Sequence, residues 1–250
     1  MLLVIPSIEI KDGRCLQKVQ GPSGAEYSDD PIETARLWRK ENTKALYVTD
    51  VDGAIEGRLV NFDVIKKMVE TVDVPIMVGG GLRNYESVKA AFAAGAYRVV
   101  ISTLCVEDPD EAKRCLVEFG ANTIVLGIDA RNGIVDIRGR NESTGMTAVS
   151  LALNAKALGF KRIMVTDILR EGTMQGPNLG AIKFLAETSG LRITVAGGIG
   201  SLDDLLKLQE LEPFGVDSVV IGRALYENKF ACQGLWRMCE TGGYPYTAKV

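Results

Sequence analysis

Six carboxylates stand at or just behind short apolar runs: Glu9, Asp50, Asp52, Asp129, Asp167 and Glu171. Paired carboxylates can divide acid and base roles when their surroundings separate their pKa values. Here they meet no competition from imidazole, because the 250 residues include no histidine. A Ser-His-Asp triad, a Cys-His pair and a His-ligated metal are therefore excluded. Proton transfer falls to Asp, Glu, Lys, Tyr or Cys. Glu9, Asp129 and Glu171 end strands or lie in the loops behind them, and are the candidate catalytic groups. Thr166 is a candidate donor to a substrate hydroxyl, or an ordinary strand threonine. Asp50 and Asp167 are expected to cap loop N–H groups instead.

A second set of residues suits anions. Gly79-Gly80-Gly81 is followed along the chain by Ser102-Thr103, and Gly197-Gly198-Ile199-Gly200-Ser201 by Gly222-Arg223. Glycines let backbone approach a phosphate closely, and a following helix N-terminus presents free N–H groups. One such loop is as well explained by a tight turn. Two adjacent pairs favour phosphate binding, and their arrangement suggests a ligand with a phosphate at each end. The basic loop Arg138-Gly139-Arg140 is either a solvated turn or an anion contact.

These residues need elements to position them. Apolar, β-branched runs recur near 3–10, 45–50, 74–79, 98–102, 123–129, 162–167, 192–196 and 217–221. Their continuous hydrophobicity marks strands buried on both faces, as in parallel sheets. Amphipathic stretches lie between them, among them PIETARLWRKEN, with Asp30 as N-cap and Pro31 at the first helical position. Strand–helix alternation over this length predicts a (β/α)₈ TIM barrel, with a doubly wound open sheet as the alternative. Catalytic groups then belong at the C-terminal ends of the strands.

An internal repeat favours the barrel. VTD at 48–50 recurs at 165–167, Asn61 as Asn178, and Gly80-Gly81 as Gly197-Gly198, each 117 residues on. VVIST at 99–103 matches VVIGR at 219–223, and IEIKDG at 8–13 matches IDARNG at 128–133, at an offset of 120. The expectation is one domain over 1–250, with twofold half-barrels at about 1–120 and 121–240 and a short tail.

Net charge is −3, with 29 Lys+Arg against 32 Asp+Glu and no basic block, so a nucleic-acid surface is not indicated. The cysteines (Cys15, Cys105, Cys115, Cys232, Cys239) are odd in number and never spaced CxxC. That pattern fits reduced thiols serving as fillers. No stretch reaches the ~18 apolar residues of a membrane span, and MLLVIPSIEIKDG lacks a cationic leader. The expected setting is cytoplasmic, with a small-molecule substrate and no obligate protein partner.

Taken together, IPSIEIKDGR, VTDVDGA, VGGGLRN, VVIST, GIDARNG, VTDILREGTMQGPN, VAGGIGS and VVIGRA resemble the phosphoribosylformimino-aminoimidazole-carboxamide ribotide isomerase family of histidine biosynthesis. The similarity spans roughly residues 1–235. It implies an Amadori rearrangement, in which a bisphosphorylated phosphoribosylamine aldose opens and becomes the aminoketose. Such chemistry needs an acid and a base and no metal or organic cofactor. The resemblance implies Glu9 as base and Glu171 as acid, with Asp129 and Thr166 orienting the opened sugar. It adds Gln17, Arg140 and Gly176 to the substrate-binding set of Gly80, Gly81, Ser102, Thr103, Gly197, Gly198, Gly222 and Arg223. Four positions depart from the family pattern. Glu9 and Glu171 replace aspartates, Gln17 replaces an arginine with Lys18 beside it, and Arg140 replaces a tryptophan. A paralogue acting on another phosphosugar and a non-catalytic phosphate-binding barrel are the alternatives. A cyclase-like subunit with a glutaminase partner is a further one.

Overall fold

The computed structural model describes residues 2–16 and 29–229. Eight parallel strands close on themselves: β1 (Leu3–Lys11), β2 (Leu46–Asp50), β3 (Ile76–Gly79), β4 (Arg98–Ile101), β5 (Ile124–Arg131), β6 (Arg162–Asp167), β7 (Arg192–Ala196) and β8 (Val216–Ile221). Closure is made where β1 pairs with β2 through Ser7↔Tyr47 and with β8 through Leu3↔Ser218. A closed ring excludes the open doubly wound sheet and leaves a TIM barrel.

The continuous hydrophobicity of the strands follows from this closure. Ile5, Met77, Val100, Val125, Met164, Ala196 and Val220 fill the barrel interior. Ile8, Val48, Val78, Ile101, Leu126, Ile163 and Val219 face outward into the layer packed against the helices. Below the interior apolar layer, Arg162 Nη2 donates to Asp217 Oδ2 at 2.6 Å, and the Thr194 and Ser218 hydroxyls are 2.8 Å apart. This polar layer lies at the N-terminal ends of β6–β8, where residues serve stability. The upper end is left for the site.

The helices start where the sequence predicts. The Asp30 side chain accepts from Ile32 N at 2.7 Å at the head of helix Pro31–Lys40. Trp38 is buried there, edge-on to Tyr226 with ring centroids 5.4 Å apart. Both glycine loops lead into capping boxes, Asn84 with Ser87 ahead of helix Tyr85–Ala93 and Ser201 with Asp204 ahead of helix Leu202–Gln209. Among the described residues, no helix is long and apolar enough to cross a membrane. Cys15, Cys105 and Cys115 are buried free thiols, and burial pushes Cys15 and Cys115 up to about 11, consistent with filler roles. Cys232 and Cys239 lie outside the described residues.

Two hairpins depart from strand–helix alternation. Asp12-Gly13 turns β1 back onto the short strand Arg14–Cys15. Asn132-Gly133 turns β5 back onto strand Ile134–Ile137, which pairs in turn with strand Glu142–Thr147. All four turn residues have positive φ, the conformation that Asp-Gly and Asn-Gly turns favour. The second hairpin has Val135 and Ile137 buried and brings Arg138-Gly139-Arg140 over the barrel.

Candidate active site

The upper end of the barrel is a cavity of about 470 Å³. β1 delivers Glu9 to it, β5 Asp129, β6 Thr166, and the loop behind β6 Glu171. β1 and β5 are four strands apart in a ring of eight, so Glu9 and Asp129 rise from opposite walls. Asp129 pairs in register with Thr166, which places these two side by side on one wall. Strand alternation turns Thr49 and Thr166 into the cavity and keeps Asp50 and Asp167 out of it.

Arg140 ties the two carboxylates of the second wall together. Its Nε donates to Asp129 Oδ2 at 3.2 Å and its Nη2 to Glu171 Oε1 at 3.2 Å, while its Nη1 makes a short contact with Glu171 Oε2. Burial alone would lower the Arg140 pKa, but the Asp129 and Glu171 charges and hydrogen bonds outweigh it and hold the cation firmly. Tyr47 lines the same cavity, and burial pushes its phenol far above the usual value. It therefore stays neutral across the range in which carboxylates work.

The phosphate-type loops converge on this cavity. Gly80, Gly81, Ser102, Thr103, Gly197, Gly198, Gly222 and Arg223 all line it. Gly80 and Gly81 have φ of +98° and +76°, and Gly197 and Gly198 +86° and +85°, a region that side-chain-bearing residues avoid. The Ser102 hydroxyl is buried and has no hydrogen-bond partner among the described residues. Buried polar groups in native proteins rarely go unpaired, and Ser102 borders the cavity. Thr103 Oγ1 accepts from Arg138 N at 3.0 Å and so also anchors the basic loop. Arg223 bonds Glu227 through Nε and donates to Gly172 O at 2.8 Å through Nη1.

Two expected binding residues stand apart. Gly176 does not line the cavity. Its N–H donates to Gly198 O and its carbonyl accepts from Arg170 Nη1, both at 2.8 Å, so it braces a phosphate-type loop from behind. Gln17, with Lys18, lies outside the described residues. Asp50 caps as expected, accepting from Gly53 N, Val60 N, Asn61 N and Asn61 Nδ2 at 2.7–2.9 Å. Asp167 accepts from Leu169 N at 3.1 Å.

Sequence reasoning missed Tyr47 and Arg83. Tyr47 is two residues before Thr49 on β2, so period-two alternation could have found it. Arg83 follows the first glycine loop, lines the cavity and donates to Ala54 O at 2.6 Å. Its basic character two residues beyond Gly81 was the available signal.

Comparison with known proteins identifies the family of this barrel. A family model described as histidine biosynthesis protein matches residues 3–231. A 1-(5-phosphoribosyl)-5-((5-phosphoribosylamino)methylideneamino) imidazole-4-carboxamide isomerase of Prosthecochloris aestuarii is 46% identical over 243 residues, covering 96% of this chain and 93% of the relative. Proteins of the same name from Salinibacter ruber and Chloroherpeton thalassium are each 44% identical. They cover 94% and 96% of this chain, and 93% and 92% of their own lengths. The chain thus belongs to the histidine biosynthesis protein family.

Proposed function

We propose that this barrel is the histidine-pathway sugar-phosphate isomerase, converting a bisphosphorylated phosphoribosylamine aldose into its aminoketose. The observation that carries the reading is the convergence of Glu9, Asp129, Thr166 and Glu171 in one cavity flanked by two glycine loops. Each loop, with its neighbouring Ser102-Thr103 or Gly222-Arg223, takes one phosphate of the substrate. A ligand held at both ends has its reacting sugar fixed over the carboxylates, and that positioning supplies much of the rate.

Ring opening needs a proton on the ring oxygen, which Glu171 supplies. The C–O bond breaks as the amine nitrogen forms a C=N bond to C1. Glu9 then takes the proton from C2, and the C2 electrons form the enolamine. Transfer of the proton of the C2 hydroxyl and reprotonation at C1 give the ketose. Asp129 and Thr166 hold the opened sugar hydroxyls. The atoms balance within substrate and side chains, so two carboxylates suffice. The reduced-thiol composition supports a cytoplasmic setting.

The one-methylene extensions at Glu9 and Glu171 move each carboxyl relative to the aspartates of the resemblance. Shifts of this size cost on the order of 10²-fold unless the surroundings compensate. The test is turnover of the phosphoribosylformimino substrate, followed by absorbance. Wild type is expected to turn over and Glu9→Gln to lose about 10²-fold or more. Absence of wild-type turnover, or no change in Glu9→Gln, removes the assignment.

A further inference from the structure

Arg140 is unusual among the arginines of the cavity because it faces the chemistry. Its guanidinium reaches Asp129 on β5 and Glu171 behind β6, using both Glu171 oxygens. All three side chains are about one-third exposed, so the cluster is open to the cavity and not part of the packed core. The segment carrying it is held in shape from behind. Arg138, Gly139 and Arg140 have φ of +54°, +68° and +68°, three consecutive left-handed residues. Arg138 is fastened by Thr103 Oγ1 to its N–H and by its Nε to Glu107 Oε1 at 2.6 Å. Asn141 N donates to Ile137 O at 3.1 Å and Asn141 Nδ2 to Arg138 O at 3.0 Å. Strain of this kind persists only where surrounding bonds over-determine the conformation.

From this geometry we infer that Arg140 is a positioning residue that fixes the Glu171 carboxyl for the reaction, with Arg140 and Glu171 acting as one matched unit. Glu171 needs an external holder. It lies in a turn segment between β6 and the helix Leu179–Ser189, and its side chain has one more rotatable bond than an aspartate. A bidentate guanidinium removes that freedom and keeps Asp129 and Glu171 close despite their like charge. Each carboxylate oxygen can accept more than one hydrogen bond, so the Arg140 contacts leave acceptor capacity facing the substrate. The pairing also joins two of the four departures from the resemblance pattern, Arg140 and Glu171, in direct contact. This inference rests on the isomerase reading for its kinetic consequences, but the ion-paired unit itself exists without substrate.

The test is a double-mutant cycle. Arg140→Ala and Glu171→Asp are each expected to lower kcat by about 10–10²-fold, with KM within about threefold. Arg140→Lys should recover part of the Arg140→Ala loss, since a lysine supplies charge without the fork. In Arg140→Ala/Glu171→Asp the loss should be smaller than the product of the single losses, by about tenfold or more. Losses that multiply, or no recovery in Arg140→Lys, overturn the inference while wild-type turnover leaves the isomerase reading intact. A second arm needs no turnover: water exchange of the Arg140 guanidinium N–H protons, followed by ¹⁵N NMR in the ligand-free protein. Faster exchange in Glu171→Gln than in wild type supports the unit, and unchanged exchange overturns it even if the wild type proves inactive on the family substrate.

Discussion

Val48-Thr49-Asp50 and Val165-Thr166-Asp167 end two barrel strands with the same three residues and then diverge. Asp50 is fully buried and accepts four hydrogen bonds that gather Gly53, Val60 and Asn61 around it. Asp167 stays partly exposed, accepting from Leu169 N at 3.1 Å and standing 3.7 Å from Arg170. The first loop is therefore organised about its own carboxylate. The second is organised about the cavity, with Glu171 reaching in and meeting Arg140. The glycine loops show the same contrast. A Cβ on Gly80 would stand 2.1 Å from Asp50 O, whereas one on Gly197 would stand 3.3 Å from Glu171 Cα. Identical residues thus serve packing on one side and a candidate acid on the other. The difference comes from what each loop has to hold.

Substitutions can break this contrast, and the largest effect belongs to Glu171. Glu171→Gln should lower kcat by about 10³-fold, as loss of a proton donor does, with the thermal midpoint unchanged. Asp50→Ala should do the reverse. Four donors lose a buried acceptor, and denaturant unfolding should show a loss of about 4 kcal/mol. Asp167→Ala should cost under about 1 kcal/mol, since its partners remain reachable by water. Equal costs at the two aspartates would erase the distinction between the loops.

The glycine pair sharpens it at smaller scale. Gly80→Ala should destabilise by about 3 kcal/mol through backbone collision and positive φ together. Gly197→Ala should cost about 1 kcal/mol in stability but lower kcat about tenfold by displacing Glu171. The smallest effect is expected at Tyr47. Because burial holds its phenol neutral far above the assay range, Tyr47→Phe should leave both limbs of the pH–rate profile below pH 9 in place. A shifted alkaline limb would assign Tyr47 a proton-transfer role.

The barrel and most of its site were legible in the chain because they depend on local patterns. Continuous β-branched runs follow from strands buried on both faces, and strand ends announce where chemistry sits. Asp50 could be read as a cap from its place before loop N–H groups. What escaped depends on distance in sequence. The Asp129–Arg140–Glu171 contact joins residues 11 and 31 positions apart, and no periodicity encodes it. The hairpin that carries Arg140 was signalled by Asn132-Gly133, but its short strands were overshadowed by the longer barrel runs. The resemblance implies Gly176 as a binding residue, whereas its N–H and carbonyl are spent on Gly198 and Arg170.

The central claim is that carboxylates alone move the protons, with Glu9 taking the one from C2. Turnover of substrate deuterated at C2, compared between wild type and Glu9→Gln, tests it most directly. The account predicts wild-type turnover slowed by deuterium and a loss of about 10²-fold or more in Glu9→Gln. Glu9→Gln turning over at the wild-type rate with the same isotope effect would contradict it.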